Sequence, residues 1–367
     1  MVGSIVAWWL AAEVLGLIAL PICYVLFRGL SDRGIGFAKI AGLLLLGYVT
    51  WLVEILQFVD FGRVTVFVFL LLLAGAGAWL VRKDWPELLV FVSSKRKLIL
   101  GYEAIFAAAF VFMVVYRGFN PEISGTEKPM DFALIEGILR SGQFPPKDPW
   151  MSGFSISYYY FGYYLAALMI RISGVMPAIG FNLALGSVFG LTAQGVSALL
   201  YNLTNRLRIG VLGAFLVLIA SNADGLLRVI HYGTFTPSAF WWWWPSSRVL
   251  GSGCNGQCID EFPQFSFMLG DLHPHVMVLP IAVLALAIAL ALLKRPEPLR
   301  FAKADWLTLL VVPIAVGSLG FTNTWDLPAY LAIVFAALIA RQYVGNPHLA
   351  SPAAAGEGQA PSPSPAA

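Results

Sequence analysis

"EFPQFSFMLGDLHPHVMVLPIAVLALAIALALL", residues 261–293, sets a cluster of ionisable side chains directly against a purely apolar run. Residues 276 to 293 carry no charge, and eighteen residues at ~1.5 Å rise form a helix of ~27 Å, enough to cross most of a ~30 Å hydrocarbon core. That run reads as a membrane helix. The whole chain agrees: of 367 residues 59% are hydrophobic, 14% aromatic and only 12% charged, with mean hydropathy +0.78. A soluble globular domain is excluded. Backbone in lipid must bond to itself, so the expected fold is an all-α, polytopic integral membrane bundle of about nine or ten helices with long extracytoplasmic loops.

Apolar runs near 4–27, 36–58, 64–81 and 98–116 give four helices. The first lacks a basic leader region and a small-residue cleavage site and reads as a retained helix. The connectors after the first and third runs are basic, the third holding Arg82, Lys83, Lys95, Arg96 and Lys97, so both are expected in the cytoplasm. The polar segment 117–155 then lies outside. Within it "MDFALIEGILRSG" (130–142) spaces Phe132, Ile135 and Leu139 as a short amphipathic helix on the membrane surface.

Three apolar runs follow between 156 and 222, and three full crossings would leave residues 261–275 inside. The connector 292–303, with Lys294, Arg295, Arg300 and Lys303, demands the opposite. One run between 156 and 203 is therefore expected to be in-plane or re-entrant, which puts loop 223–273 outside. Four consecutive tryptophans, 241 to 244, are expected at headgroup level. The chain divides into 1–97 (helices one to three and a cytoplasmic connector), 98–345 (membrane core with outer loops 117–155 and 223–273) and 346–367, a Pro, Ala and Ser rich tail expected to be disordered.

The net charge of +3 is small and scattered, which argues against a nucleic-acid partner. Cys23 reads as a core residue; Cys254 and Cys258 in "GSGCNGQCID" suit a local disulfide better than half a metal site. Phosphate-binding loops, dinucleotide fingerprints, G-x-S-x-G and H-E-x-x-H are absent, so a soluble nucleotide has no cradle.

Three polar clusters fall on one expected face: Glu127, Lys128 and Asp131; Asp260, Glu261, Asp271, His273 and His275; and Asn323 with Asp326. Ionisable groups at a membrane boundary cost free energy, so clustering suggests a site. Simpler roles stand beside this: Asp131 pairing with Lys128, Asp271 capping the helix after Pro274, Asp326 starting the last helix. Asp271, His273 and His275 suit a divalent metal, Mg or Mn, and the imidazoles suit a phosphate oxygen equally well. Lys128 and Arg248 are candidate phosphate partners. The tyrosines Tyr158, Tyr159 and Tyr160 form either an interfacial belt or a stacking wall for a sugar or isoprenoid, and Glu261 and Asp326 are further members.

"GTEKPMD" (125–131), "FPPKDPWMSG" (144–153), "SISYYYFGYY" (155–164), "EFPQFSFMLGDLHPH" (261–275) and "GFTNTWDLPAY" (320–330) together resemble the YYY membrane protein family (Chlor_Arch_YYY), whose members are uncharacterised. The resemblance covers about residues 100 to 345. That family is in turn distantly similar to the GT-C superfamily of glycosyltransferases, which take sugars from polyprenyl-phosphate carriers at the outer face of the cell membrane. The resemblance implies a sugar-transferring enzyme with a lipid-linked donor and an unknown acceptor, and it implies Asp131 as catalytic base, with Glu127 the alternative. GT-C enzymes carry further helices after this region, so the resemblance leaves three expectations open: a fragment, a split gene, or one half of a complex whose partner subunit supplies the C-terminal helices. Two other classes compete: a transporter or flippase of a lipid-linked solute using the same acids as a relay, and a non-catalytic scaffold.

Overall fold

In the computed structural model, residues 1–234, 236, 239–250, 258–295, 299 and 305–345 are described. They form an all-helical bundle with no strand among them. Among the described residues seven helices are long and apolar enough to span a membrane, beginning with α1 (Val2–Leu26), α2 (Ala38–Ile55, extended by a 3-10 turn from Ile35), α3 (Arg63–Leu80) and α5 (Arg96–Phe119). The short α4 (Trp85–Ser94) precedes α5. After α6 (Lys128–Arg140) and α7 (Phe161–Ser173) come the long α8 (Pro177–Thr204) and α9 (Leu207–Phe215), which runs through a π turn at Leu216–Ala220. A 65° bend joins that unit to α10 (Asp224–Tyr232), and the pair counts as an eighth span if taken together. The remaining helices are α11 (Pro263–Leu269), α12 (Pro274–Met277), α13 (Leu279–Leu293), α14 (Trp306–Thr322) and α15 (Leu327–Gly345).

Of the two helices between 156 and 203, where one in-plane or re-entrant run was expected, α7 is the short one. Its 13 residues extend ~20 Å, too short to cross, and Gly174 ends it in the left-handed region at φ 70°. Residues 161 to 170 are all buried, because α1, α2, α3, α6, α8 and α14 surround it. A short helix at membrane depth is stable when protein rather than lipid takes its ends.

The expected helix at 130–142 is α6, and Arg171 at the end of α7 donates to the Leu139 carbonyl (2.6 Å) near its end. Its buried face is Asp131, Leu134, Ile135 and Ile138, so Phe132 and Leu139 lie at the edges of the stripe rather than at its centre. The face turns onto α7 and α8, which pack against it.

Close helix approach comes from small residues, as expected where apolar lipid gives no drive for association. A Cβ on Gly42 would stand 2.2 Å from the Leu15 carbonyl oxygen, which lets α1 and α2 touch backbone to side. At one end of the bundle Asp32, fully buried, accepts from the amides of Gly34 and Gly36, from Tyr102 and from Asn202 of α8. Lys294 donates to the Asn202 carbonyl (2.6 Å), and Arg33 stacks on Tyr24 and Phe91. The basic connectors after α1 and α13 thus meet at this end. Cys23 is buried and free; Cys258 is disulfide-bonded, while Cys254 and the tail 346–367 lie outside the described residues.

Candidate functional site: a histidine and carboxylate cluster at the other end

Three loops separated widely in sequence meet at the end of the bundle opposite Asp32. Glu127 precedes α6, whose Pro129 suits a first-turn position, and Asp131 sits one turn in with its amide bonded to the Glu127 carbonyl (3.0 Å). The second element is built by α11 and its terminator Gly270, at φ 77°. A Cβ on Gly270 would lie 2.4 Å from Arg117 Nη1, so glycine satisfies both the backbone and the space. The turn bonds the Asp271 amide to the Ser266 carbonyl (3.0 Å) and aims "DLHPH" back into the bundle. The third is the break between α14 and α15, which carries Asn323 and Asp326.

Asp131 is wholly buried. Its Oδ1 accepts from Tyr163 of α7 (2.5 Å) and lies 3.2 Å from His273 Nδ1, which is also 3.1 Å from Glu127 Oε2. The other ring nitrogen, Nε2, meets the Tyr158 hydroxyl at 2.9 Å. A second set lies alongside: His275 Nε2 is 2.5 Å from Glu261 Oε2 and 3.1 Å from Ser266 Oγ. The two imidazole centroids are 5.7 Å apart. Asp271, 4% exposed, is shared between the sets: it groups with Asp131 and His273, and with Glu261 and His275, donor atoms in each trio falling within 4.8 Å. Asp131 Oδ2 and Asp271 Oδ1 are buried with no hydrogen-bond partner among the described residues.

This crowding shifts the groups. Burial, then the charge of Asp131, pushes the Asp271 carboxyl up to about 7 against the pull of the two histidines. For His273 burial favours the neutral ring, but the hydrogen bond and charge of Asp131, with Asp271 and Glu127, outweigh it and raise its pKa. Glu261 is lowered: burial works the other way and is overcome by His275, with help from Ser266. Burial and the neighbouring Arg117 lower Lys128, and burial with Glu127 and Asp131 lifts Tyr158 to about 12.

Lys128 donates to the Leu269 carbonyl (3.1 Å), and Arg117, at the end of α5, bonds Asn182 (2.9 Å) and the Glu122 carbonyl (3.2 Å). Arg117 follows Tyr116 in the chain and Leu269 follows Met268, and both Tyr116 and Met268 line an apolar groove of about 210 Å³ together with Phe112, Met113, Leu218 and Phe267. Within its lining the Tyr116 hydroxyl donates to the Met268 carbonyl (3.1 Å).

Other candidates separate. Asp326 accepts from Asn323 (2.6 Å) and faces the cluster through the charge of His275. Tyr159 packs on Tyr158 (5.1 Å between centroids) at the rim. Tyr160 instead accepts from Trp51 of α2 (3.0 Å). Arg248 lies over Trp244 (3.9 Å) and near Phe265, with its side chain bonded to Ser247, so its contacts run to the aromatic packing and not to the cluster. The tryptophans 241 to 244 are buried or half-buried, Trp243 and Trp244 both packing on Phe265. Tyr163, Arg117 and Ser266 were not singled out from sequence. An arginine in the last turn of a membrane helix was a usable signal for Arg117, whereas nothing local marks Tyr163 within a tyrosine run whose next member, Tyr164, serves a different buried acid, Glu54 (3.0 Å).

Residues 45–359 match the family described as "Uncharacterized membrane protein (DUF2298)". The chain belongs to that family. The match takes in every residue of the cluster and starts within α2. No curated protein and no solved structure matches the chain.

Proposed function

We propose that this DUF2298 protein is a membrane glycosyltransferase that moves a sugar from a polyprenyl-phosphate donor to a hydroxyl acceptor at the extracytoplasmic face of the cell membrane. The observation that carries the reading is the Asp131–His273 pair with Lys128 bonded to the Leu269 carbonyl and Arg117 near it, where Leu269 and Arg117 each adjoin in the chain a residue lining an apolar groove. A lipid-linked sugar phosphate has these three requirements: a tail in the groove, a phosphate on the cations, and a reacting carbon near a base.

In this reading His273 Nε2, on the rim beside Tyr158, takes the proton of the acceptor hydroxyl as its oxygen bonds to the anomeric carbon. The bond from that carbon to the phosphate oxygen breaks, and the polyprenyl phosphate leaves with the electron pair. Asp131 is closed off from solvent, so it acts through His273, holding the ring by Nδ1 and stabilising the imidazolium as the carboxylate of a catalytic triad does. The role expected of Asp131 as a base is thereby relayed rather than direct. Lys128 uses one donor on Leu269 and retains two for the leaving phosphate. Glu127, 61% exposed and on the same ring nitrogen, supports the charged imidazole.

A second reading, transport of a lipid-linked solute, draws on Lys39, buried inside the bundle between Glu13 (3.0 Å) and Glu103 (2.5 Å). The deciding experiment reconstitutes the full chain in nanodiscs with a panel of polyprenyl-phosphate sugars and follows sugar release from the lipid. Transfer by the wild type that collapses in His273→Gln and falls sharply in Asp131→Asn supports the transferase. Folded protein without transfer from any donor, or undiminished transfer in His273→Gln, rejects it.

A further inference from the structure

We propose that Glu261, Asp271 and His275 form a binding site for one divalent first-row cation, separate from the Asp131–His273 pair. Two carboxylates and an imidazole are a donor set that such ions accept, and their donor atoms already lie within 4.8 Å of one another. The second, independent observation is Asp271 itself. It is 4% exposed, and its Oδ1 is buried without a hydrogen-bond partner among the described residues. A buried carboxylate oxygen left unsatisfied is costly, and a cation relieves that cost.

The alternative trio with Asp131 and His273 fits less well. Asp131 has Oδ2 unpartnered, but both ring nitrogens of His273 are engaged, Nδ1 by Asp131 and Glu127 and Nε2 by the Tyr158 hydroxyl, so the imidazole of this trio has no nitrogen to offer an ion without breaking that chain. Asp131 is also sealed, whereas His275 and Glu261 are 34% and 29% exposed and give an ion an entry path. At the open trio a cation replaces the proton that Glu261 and His275 share at 2.5 Å. Ser266, 3.2 Å from Glu261 Oε2, and Asp326, which faces His275, are placed to orient the donors.

The inference concerns the same cluster but does not depend on sugar transfer, because binding is measured with no donor or acceptor present. Chelator-treated full chain in nanodiscs is titrated with Mn2+ alone, and bound metal is followed by electron paramagnetic resonance with detection of nitrogen coupling. The expected result is one Mn2+ per chain with imidazole nitrogen coupling. Affinity falls by roughly tenfold or more in Glu261→Gln, a change at a part-exposed position, and the coupling disappears in His275→Gln. Asp131→Asn retains both the stoichiometry and the coupling. Absence of stoichiometric Mn2+ binding to the folded wild type overturns the proposal. So does binding indifferent to Glu261→Gln, or coupling that survives His275→Gln and is lost in His273→Gln.

Discussion

Gly270 is the hinge on which the cluster depends, and its replacement by alanine yields a quantitative test. Two penalties apply. The backbone at φ 77° is left-handed, which costs a residue with a Cβ roughly 1–2 kcal/mol. The new methyl also falls 2.4 Å from Arg117 Nη1, so the guanidinium must move. Arg117 is held by Asn182 and the Glu122 carbonyl, and loss of a charged hydrogen bond costs ~1.5–3 kcal/mol. Gly270→Ala is therefore expected to destabilise by about 2.5–5 kcal/mol. Gly233 is an internal control: it too ends a helix, α10, at φ 65°, but a Cβ there meets nothing within 4 Å. Gly233→Ala should cost only the backbone share, about 1–2 kcal/mol. The assay is unfolding in mixed micelles followed by tryptophan fluorescence, with each variant referred to wild type. A gap of about 1.5–3 kcal/mol between the variants is expected from the displacement of Arg117. Equal destabilisation of both would refute the argument that the turn and Arg117 are packed against each other.

Other consequences are as specific. Gly42→Val drives a side chain into the Leu15 carbonyl and should lower stability by about 1–3 kcal/mol or more, while Gly75→Val, with open space around it, should leave the unfolding midpoint near wild type. Lys39→Ala leaves Glu13 and Glu103 uncompensated and should destabilise by about 3–5 kcal/mol; adding Glu13→Gln and Glu103→Gln should recover most of it in the same unfolding assay, and no recovery would deny that the three act as one ion group. Tyr163→Phe removes the hydroxyl that holds Asp131 and should reduce transfer without altering the wild-type helical content by circular dichroism; full transfer would remove Tyr163 from the site. An impermeant maleimide should label Glu127→Cys and Trp325→Cys from one side of a sealed vesicle and Arg28→Cys from the other, and labelling of all three from one side would break the two-ended arrangement.

Local pattern was enough for the helices. Length and hydropathy of residues 276–293 marked a span, and between 156 and 203 the sequence called for one in-plane or re-entrant run without saying which; the structure shows there one short apolar helix, the 13-residue α7, beside the long α8. The amphipathic α6 was legible from its spacing, but not which lipid or protein surface its apolar stripe would meet, because periodicity marks a stripe and not the neighbour that covers it.

The candidate site divides along the same line. Asp131, Glu127, Lys128, Asp271, His273 and His275 stood out in the sequence because charge is rare in so apolar a chain. That scarcity is a property of composition, readable without coordinates. Which of them touch is a property of packing: α6, α7 and the Gly270 turn bring Asp131, Tyr163 and His273 together across as many as 142 positions and pair His275 with Glu261 instead. The same packing directs Tyr160 to Trp51 and Arg248 to Trp244, although both were candidate site residues by sequence. Sequence determined the solvent and the helices because each residue's transfer cost is its own; partnership in the cluster was decided by the tertiary structure because a hydrogen bond needs two groups whose separation the local pattern does not encode.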